Sequence, residues 1–559
     1  MKPWLLRMRE VRWAGTAMVL ACMACLDPRV AEPEKEGNSS ETVAMVGGRV
    51  VDQKGLTVAG AWVALVPDGF NPLSGHSVPA NLTARTNING EYFIPKVPKG
   101  RYGVEAAHPM DGTRAFASGL ELNAEITIPA DTLRATGHLR LKLPDYLKEA
   151  KGSVFIPHTR YSWPLTATML EHGFVELDSI PAGLYGALAY SPDTSIDKPD
   201  TVARDVEVHA ADTTTLGAFA GWLHSGMISV NTKASGAGVA QTLTDFPMLL
   251  RLDATNFDFS QSSSDGRDLR FAKADGKSLA FQIEHWDAQK SRAEVWIALD
   301  SVRGNDSAQY CRMFWGKPGA VSRSDGPTVF GGTAGYAGVW HLDEEASGTG
   351  TVGLYRNAAT AFDNGLDSLT LNDQVGAIGN GHLFLNGEYI RIPAATGALK
   401  PLPAVTLSAW VRATATDSSG GEIASMGNDY GIRLTPQGNA YVFCFNIPRT
   451  DSSNFLLVTS GLNLLDNAWH HIVGILNGAR AEIYVDGVYR AGQDFRTGAF
   501  KYDGGPDFFI GHHGNGETPY DFNGNIDEVR VFPGASSAAW LKLSYESQKP
   551  GAAVVMLSR

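Results

Sequence analysis

A chain of 559 residues is several times longer than one hydrophobic core supports, so at least three domains are expected. Hydrophobic residues at 43%, charged residues at 19% and 61 glycines exclude a disordered or coiled-coil polymer and fit globular domains dense in turns. A net charge of -12 argues against nucleic acid as a partner, since phosphates are met by basic surfaces.

The chain begins with a basic stretch (Lys2, Arg7, Arg9, Arg12) and a short apolar run from Trp13 to Ala24, the layout of a secretion signal. The run is shorter than the roughly 20 residues a membrane crossing needs, and no later segment is as continuously apolar. Val19-Leu20-Ala21-Cys22 resembles a bacterial lipobox, which implies removal of residues 1–21 and diacylation of Cys22; Cys25, after Met23-Ala24, is the alternative. Two or three acyl chains hold a protein firmly, at roughly 0.8 kcal/mol per buried CH₂. The expected location is therefore the cell envelope, lipid-anchored in the outer membrane or at the cell surface. Loss of four bases and one acid with the signal takes the net charge from -12 to -15. Residues 22–45 mix Pro, Glu, Ser and Asn without apolar periodicity and read as a solvated tether. Beyond the signal only Cys311 and Cys444 remain, in segments assigned to different domains, so no disulfide scaffold is indicated.

From residue 46 short alternating runs, Arg49 to Val51 and Ala61 to Val66, are separated by Gly-containing turns and read as strands. Asn89-Gly90 precedes Tyr92-Phe93-Ile94, and Pro98-Lys99-Gly100 precedes Tyr102 to Val104, so turn chemistry and strand spacing agree. Residues 46–145 thereby resemble the carboxypeptidase regulatory-like β-sandwich, a family that implies no catalysis. Residues 146–218 repeat the style more weakly. Ile180-Pro181-Ala182-Gly183-Leu184-Tyr185 echoes Val97-Pro98-Lys99-Gly100-Arg101-Tyr102, which fits either an internal duplication or a turn solution common to short hairpins.

Residues 219–335 alternate apolar and polar side chains between Asp-Gly turns, and the order of their phrases resembles a bacterial domain of unknown function that sits beside laminin G-like domains. Trp286, Trp296 and Trp315 are read as packing residues, and Asp265, Asp268 and Asp275 as turn formers.

Residues 336–545 carry the strongest signal. Tyr336-Ala337-Gly338-Val339-Trp340-His341-Leu342-Asp343, Gly381 to Gly387, Val405 to Val411, Ala468-Trp469-His470-His471-Ile472-Val473, Ala481 to Gly487 and Gly524 to Phe532 follow one another in the order of the laminin G-like, concanavalin A-like jelly-roll family, which they resemble. Leu407, Ala409 and Val411 alternate with Thr406, Ser408 and Trp410, as a two-sheet sandwich requires. Asp486-Gly487 between apolar runs predicts a hairpin with positive φ at both turn residues. Residues 546–559 are left as a C-terminal tail. The expected fold is all-β: several β-sandwiches ending in a concanavalin A-like jelly roll.

Hydrolases on this fold place alternate carboxylates along one strand, and no such phrase occurs; Asp527 and Glu528 are adjacent, which in a regular strand sends them to opposite faces. The resemblance implies calcium, with Asp343 and Asp527 as ligands and Glu344 as a third; the other reading has these acids capping strands or pairing with Arg530. His470-His471 and His512-His513 lack zinc-site spacing and read as structural. The 512–520 loop has the polar and aromatic mixture used on sugars. Tyr430 and Tyr520 are candidate stacking faces, while Asn428, Asp429, His513 and Asn515 are candidate hydrogen-bonding groups. The function expected is non-catalytic: a surface binding or adhesion protein whose laminin G-like domain recognises a glycan or a cell-surface protein. A polysaccharide-degrading enzyme and a purely structural envelope protein are the alternatives.

Overall fold

Successive side chains of a strand face opposite sides, so alternating sequence becomes two-layer packing along the whole chain. The computed structural model describes residues 43–558 apart from 143–150, 173, 345–353, 371–373, 386, 401–403, 446–454, 495–501, 503, 515 and 517–519. Cys22, Cys25, the signal segment and the tether up to residue 42 lie outside the described residues. The fold is all-β, and the α-helices among the described residues are Ala167–His172 and Ala538–Gln548. No described helix is long and apolar enough to cross a membrane.

In the first module Val43–Val51 pairs antiparallel with Glu91–Pro98 and parallel with Ile126–Thr127 and Asp131–Thr132. The opposing sheet runs Thr83–Arg85, Trp62–Pro67, Gly100–Ala107, Arg114–Leu122. Val46, Val63, Leu65, Ile94 and Val104 close the space between them. Gly90 turns with φ 74°, and a Cβ there would lie 2.6 Å from the Val50 carbonyl oxygen, so the turn admits no other residue without a shift.

The second module has its own core around Leu139, Val154, Val175, Leu188 and Val206. Its sheets are Phe174–Ile180, Gly137–Lys142, Thr213–Leu216 and Ser162–Pro164, Ser153–Phe155, Gly183–Ser191, Asp200–Val208. The sequence echo is a shared bond: the Tyr102 hydroxyl donates to the Pro98 carbonyl at 2.8 Å, and the Tyr185 hydroxyl to the Pro181 carbonyl at 2.7 Å.

The third module packs the sheet Ser278–Leu279, Arg270–Lys273, Gln309–Trp315, His224–Val230, Val555–Ser558 against Leu243–Asp253, Arg292–Val302, Phe281–Asp287. Residues expected to form a C-terminal tail are therefore built into the fold up to Ser558. Val555–Ser558 pairs antiparallel with Met227–Val230, more than 300 residues earlier, and seats Val555 and Leu557 against the core. Four residues are too short a run to show periodicity, which is why the strand was invisible in the sequence. Trp296 and Trp315 are fully buried and Trp286 packs on Phe257 and Phe259, as expected of core residues. Asp265 and Asp275 accept turn N–H groups from Arg267 and Lys277. Asp268 differs: it is buried and accepts from the backbone of Ser263 and Gly316.

The described residues of the jelly roll form two eight-stranded sheets around one core. One sheet includes Asn380–Phe384, Gly524–Phe532, Val405–Arg412, His470–Leu476, Arg480–Val485 and Val488–Asp494 in that order, with Gly338–Trp340 also paired to Gly524–Phe532. The other includes Ile390–Ile392, Phe508–Ile510, Gly421–Met426, Tyr430–Leu434, Asn439–Phe445 and Phe455–Asn463. Asp486 and Gly487 have φ 55° and 70°, the hairpin geometry expected.

The outer face of Gly524–Phe532 is covered by the third module. Trp296, Val329, Phe330, Val339 and Ile378 form one buried cluster, with Phe532 and Trp540 packed on it. The helix Ala538–Gln548 completes the junction: Ser537 caps it through the Trp540 N–H, Trp540 meets Phe246, and Tyr545 stacks on Trp410.

Candidate functional site

Two β-bulges face each other across this junction. In Phe281–Asp287, Ile283 pairs with Val295 and His285 with Glu294, so Glu284 is the extra residue. In Gly524–Phe532, Asp527 pairs with Trp410 and Arg530 with Ser408, and Glu528 adopts φ 53°. A bulge re-aims side chains. Here Ile526 and Val529 both enter the jelly-roll core, which sends Asp527 and Glu528 outward together. The expectation that these two acids face opposite ways assumed an unbroken strand and is overturned by this register shift.

The result is a buried charged seam. Glu284 Oε2 accepts from the Trp296 indole N–H and lies 3.4 Å from His341 Nδ1. His341 Nδ1 also meets Glu528 Oε1, and Glu528 Oε2 is held by Arg530, whose guanidinium lies 4.3 Å from the Trp296 ring centre. Burial, followed by the nearby carboxylates of Glu528, Asp527 and Asp343, pushes the Glu284 carboxyl well above its ordinary range. Burial and Glu528 raise Asp527 as well. Burial works to raise Glu528 too, but Arg530 and His341 outweigh it and pull that carboxyl down to about 2. Arg251, half-buried here, donates to the Ala377 and Gln548 carbonyls.

Above the seam opens a cavity of about 570 Å³, lined by Gln282, Glu284 and Ser324 of the third module and by His341, Asp343, Glu344, Arg356 and Asn364 of the jelly roll. Its walls carry carboxylates, amides, a hydroxyl, an imidazole and a guanidinium. Neither module forms it alone.

The expected metal ligands are divided by this geometry. Asp343 and Glu344 line the cavity, whereas Asp527 does not. Asp343 accepts from the Asn380 N–H at 3.0 Å and meets His285, Glu344 accepts from the Arg356 N–H, and Asp527 accepts from the Ile378 N–H. Each carboxylate is engaged by a different backbone donor, and among the described residues these three are not a group whose ligand atoms converge within 4.8 Å of one another.

The expected glycan-binding residues do not form one site either. Tyr430 is 2% exposed inside the jelly-roll core, and its hydroxyl donates to the Leu399 carbonyl, so no ring face is offered to a sugar. Asp429 is buried and accepts from the Gly504 N–H. Asn428 closes the same turn through its backbone, donating to the Gly504 carbonyl. Asn515 lies outside the described residues. His513 and Tyr520 do come together: their rings stack at 4.9 Å, Arg433 lies 3.9 Å from the Tyr520 ring centre, and Arg433 forms a buried ion pair with Glu422. The Tyr520 ring is thus already engaged. Of the other histidines, His470 is paired with Asp486 and Asp466, His512 with Asp521, and His471 packs on Trp410.

Sequence reasoning missed Glu284, Gln282, Arg356 and the role of His341. His341 lay inside a quoted phrase, but its partner Glu284 is brought opposite by a bulge that leaves no mark in composition or period.

The fold and junction describe a chain whose last module is laminin G-like and concanavalin A-like. Residues 384–542 match the family model of the concanavalin A-like lectin/glucanases superfamily, and residues 265–336 match a domain of unknown function, DUF2341. No curated relative matches the chain. Among solved structures, the chain is similar to Domain 4 of a GH43 extracellular arabinanase from Geobacillus stearothermophilus in complex with arabinotriose, at 20% identity over 37% of this chain and 96% of that one, TM-score 0.28. It is also similar to the CBM40 of the Ruminococcus gnavus IT-sialidase bound to alpha2,3 sialyllactose, at 14% identity over 30% and 96%, TM-score 0.26. The botulinum neurotoxin serotype D binding domain is similar at 13% identity over 38% of this chain, TM-score 0.29, and the chain spans about half of that structure, 51%.

Proposed function

We propose that this chain is a non-catalytic envelope protein that binds a hydroxyl-rich ligand, a glycan segment, in the cavity between the third module and the jelly roll. The observation that carries the reading is the cavity itself: about 570 Å³, within the range of small-ligand sites, and walled by hydrogen-bonding groups from two modules. Amides, carboxylates and a guanidinium suit sugar hydroxyls. In this reading the first two sandwiches are spacers, and acylation of Cys22, or Cys25, holds the protein on the outer membrane or cell surface.

The test is a glycan array followed by titration calorimetry on the full chain. Gln282→Ala with Arg356→Ala is expected to weaken binding at least about tenfold, the loss of two to three hydrogen bonds, and Phe93→Ala in the first module to leave it unchanged. Binding unaffected by the cavity variants overturns the site, and reducing ends released over time overturn the non-catalytic reading.

A further inference from the structure

We propose that Glu284, His341 and Glu528 bind one divalent transition cation of the zinc or manganese type, which ties the third module to the jelly roll. This inference does not depend on the glycan reading. Among the described residues this is the one group whose potential ligand atoms all lie within 4.8 Å of one another. Its members come from two modules: Glu284 and Glu528 from the strands Phe281–Asp287 and Gly524–Phe532, and His341 from the residue that follows the strand Gly338–Trp340. Both carboxylates sit in bulges, the device that turns a side chain out of the regular strand direction.

Convergence alone would fit a hydrogen-bonded acid cluster, but Glu284 adds a separate observation. Its side chain is 0% exposed, and Oε1 has no hydrogen-bond partner. A buried carboxylate oxygen left unmatched is costly, and it is relieved either by protonation of the group or by a cation that meets it. Asp527, fully buried, has a second such oxygen, Oδ1. Nearby basic groups are already committed: Arg530 to Glu528, Arg292 to Glu294 and the Gly379 carbonyl, Arg251 to backbone carbonyls. Space is kept open on the Glu284 side by Gly379, where a Cβ would come within 2.8 Å of Oε1.

The donor set selects the ion. Calcium takes six to eight oxygens, whereas an imidazole nitrogen with two carboxylates is the mixture that zinc and manganese accept. The outer contacts are those of a metal site: Trp296 orients Glu284, and Arg530 orients Glu528.

The experiment uses the untagged full chain, stripped with chelator, offered zinc, manganese or calcium separately, passed over gel filtration and assayed for metal per chain. About one zinc or manganese ion is expected to stay bound, with a higher Tm than the stripped chain. Glu284→Gln and His341→Asn are each expected to weaken retention at least about tenfold and to abolish the Tm rise, while Glu176→Gln in the second module changes neither. Circular dichroism of the stripped variants establishes that they fold; should one not fold, the other decides. No retained ion, retention of calcium alone, or retention that survives both substitutions overturns the proposal. Glycan binding that fails while metal is held overturns the function proposed above and leaves this site standing.

Discussion

The two halves of the chain join their modules in opposite ways. Between the first and second sandwiches the contact is made largely by polar bridges: Arg160 reaches Glu105 and lies 4.6 Å from the Trp62 ring centre, His158 meets the Asp68 carbonyl, Ser162 donates to the Pro72 carbonyl and Asn71 to the Thr194 carbonyl, and Phe116 stacks on Tyr185. Each sandwich keeps a core of its own. Between the third module and the jelly roll the cores run together, and the chain returns after the jelly roll to add a strand to the third module's sheet. Both seams bury a glutamate. Glu105 is answered by an arginine, while Glu284 faces a histidine backed by another acid. The first seam is what two independent domains make on touching; the second belongs to modules that fold as one unit.

Removing residues 552–558 is the harshest way to break that contrast. The deletion takes away Val554 and the strand that seats Val555 and Leu557, and the loss expected for the third module is on the order of 5 kcal/mol or more. Calorimetry is expected to show the transition of residues 219–558 collapse while that of residues 43–218 stays in place. Equal loss in both halves would mean that the first seam is as cooperative as the second.

A pair of substitutions sharpens the same contrast. Arg530→Ala leaves the buried Glu528 without its counter-charge, and about 3–5 kcal/mol of stability is expected to go. In Arg160→Ala the partner Glu105 is equally buried, but Arg160 is 33% exposed and water reaches the pair, so roughly 1–3 kcal/mol is expected. Urea unfolding of the two variants measures both, and the reverse order would contradict the assignment of the tighter seam.

Protonation gives a third lever. Burial first, then Arg530, pulls His471 from 6.5 down to about 4. Its folded pKa lies below its unfolded one, so the stability it contributes is fully present above about pH 6.5 and is lost as pH falls through 4. The raised carboxyls of Glu284 and Asp527 act in the other sense, their contribution fading as pH rises. The difference between the wild type and His471→Phe isolates the first effect: the variant keeps a ring on Trp410 and is expected to escape about 3 kcal/mol of acid destabilisation between pH 6.5 and 4. Denaturant midpoints taken across that range check it, and parallel curves would remove His471 from the seam's electrostatics.

What the sequence disclosed divides along similar lines. Alternation at Leu407, Ala409 and Val411 and the Asp486-Gly487 turn are local, so the sandwich architecture was legible. The candidate site was not, because it depends on register. One extra residue at Glu284 and one at Glu528 decide which carboxylates meet, and a bulge changes neither composition nor propensity. The same blindness misplaced Tyr430, whose neighbours Asn428 and Asp429 look like an exposed turn although the ring points into the core. The closing strand Val555–Ser558 was missed because four residues show no period and the strand it pairs with lies more than 300 residues earlier.

The smallest effect tests the one feature that the first two modules share in detail. Tyr102 and Tyr185 each donate to the carbonyl of a proline four residues earlier, at 2.8 and 2.7 Å, and each ring lies in its module's core. Removing the hydroxyl alone leaves the packing in place, so Tyr102→Phe and Tyr185→Phe are each expected to cost roughly 0.5–1.5 kcal/mol. The costs need not be equal. The Tyr185 ring also stacks at 5.1 Å on Phe116, so a shift of its ring is transmitted to the seam, whereas Tyr102 has no such contact across it. Equilibrium unfolding of the two single variants and the double variant separates the cases: additive costs mean two corners that stabilise two modules independently, and a coupling above about 0.5 kcal/mol means that the first seam makes the two sandwiches cooperative.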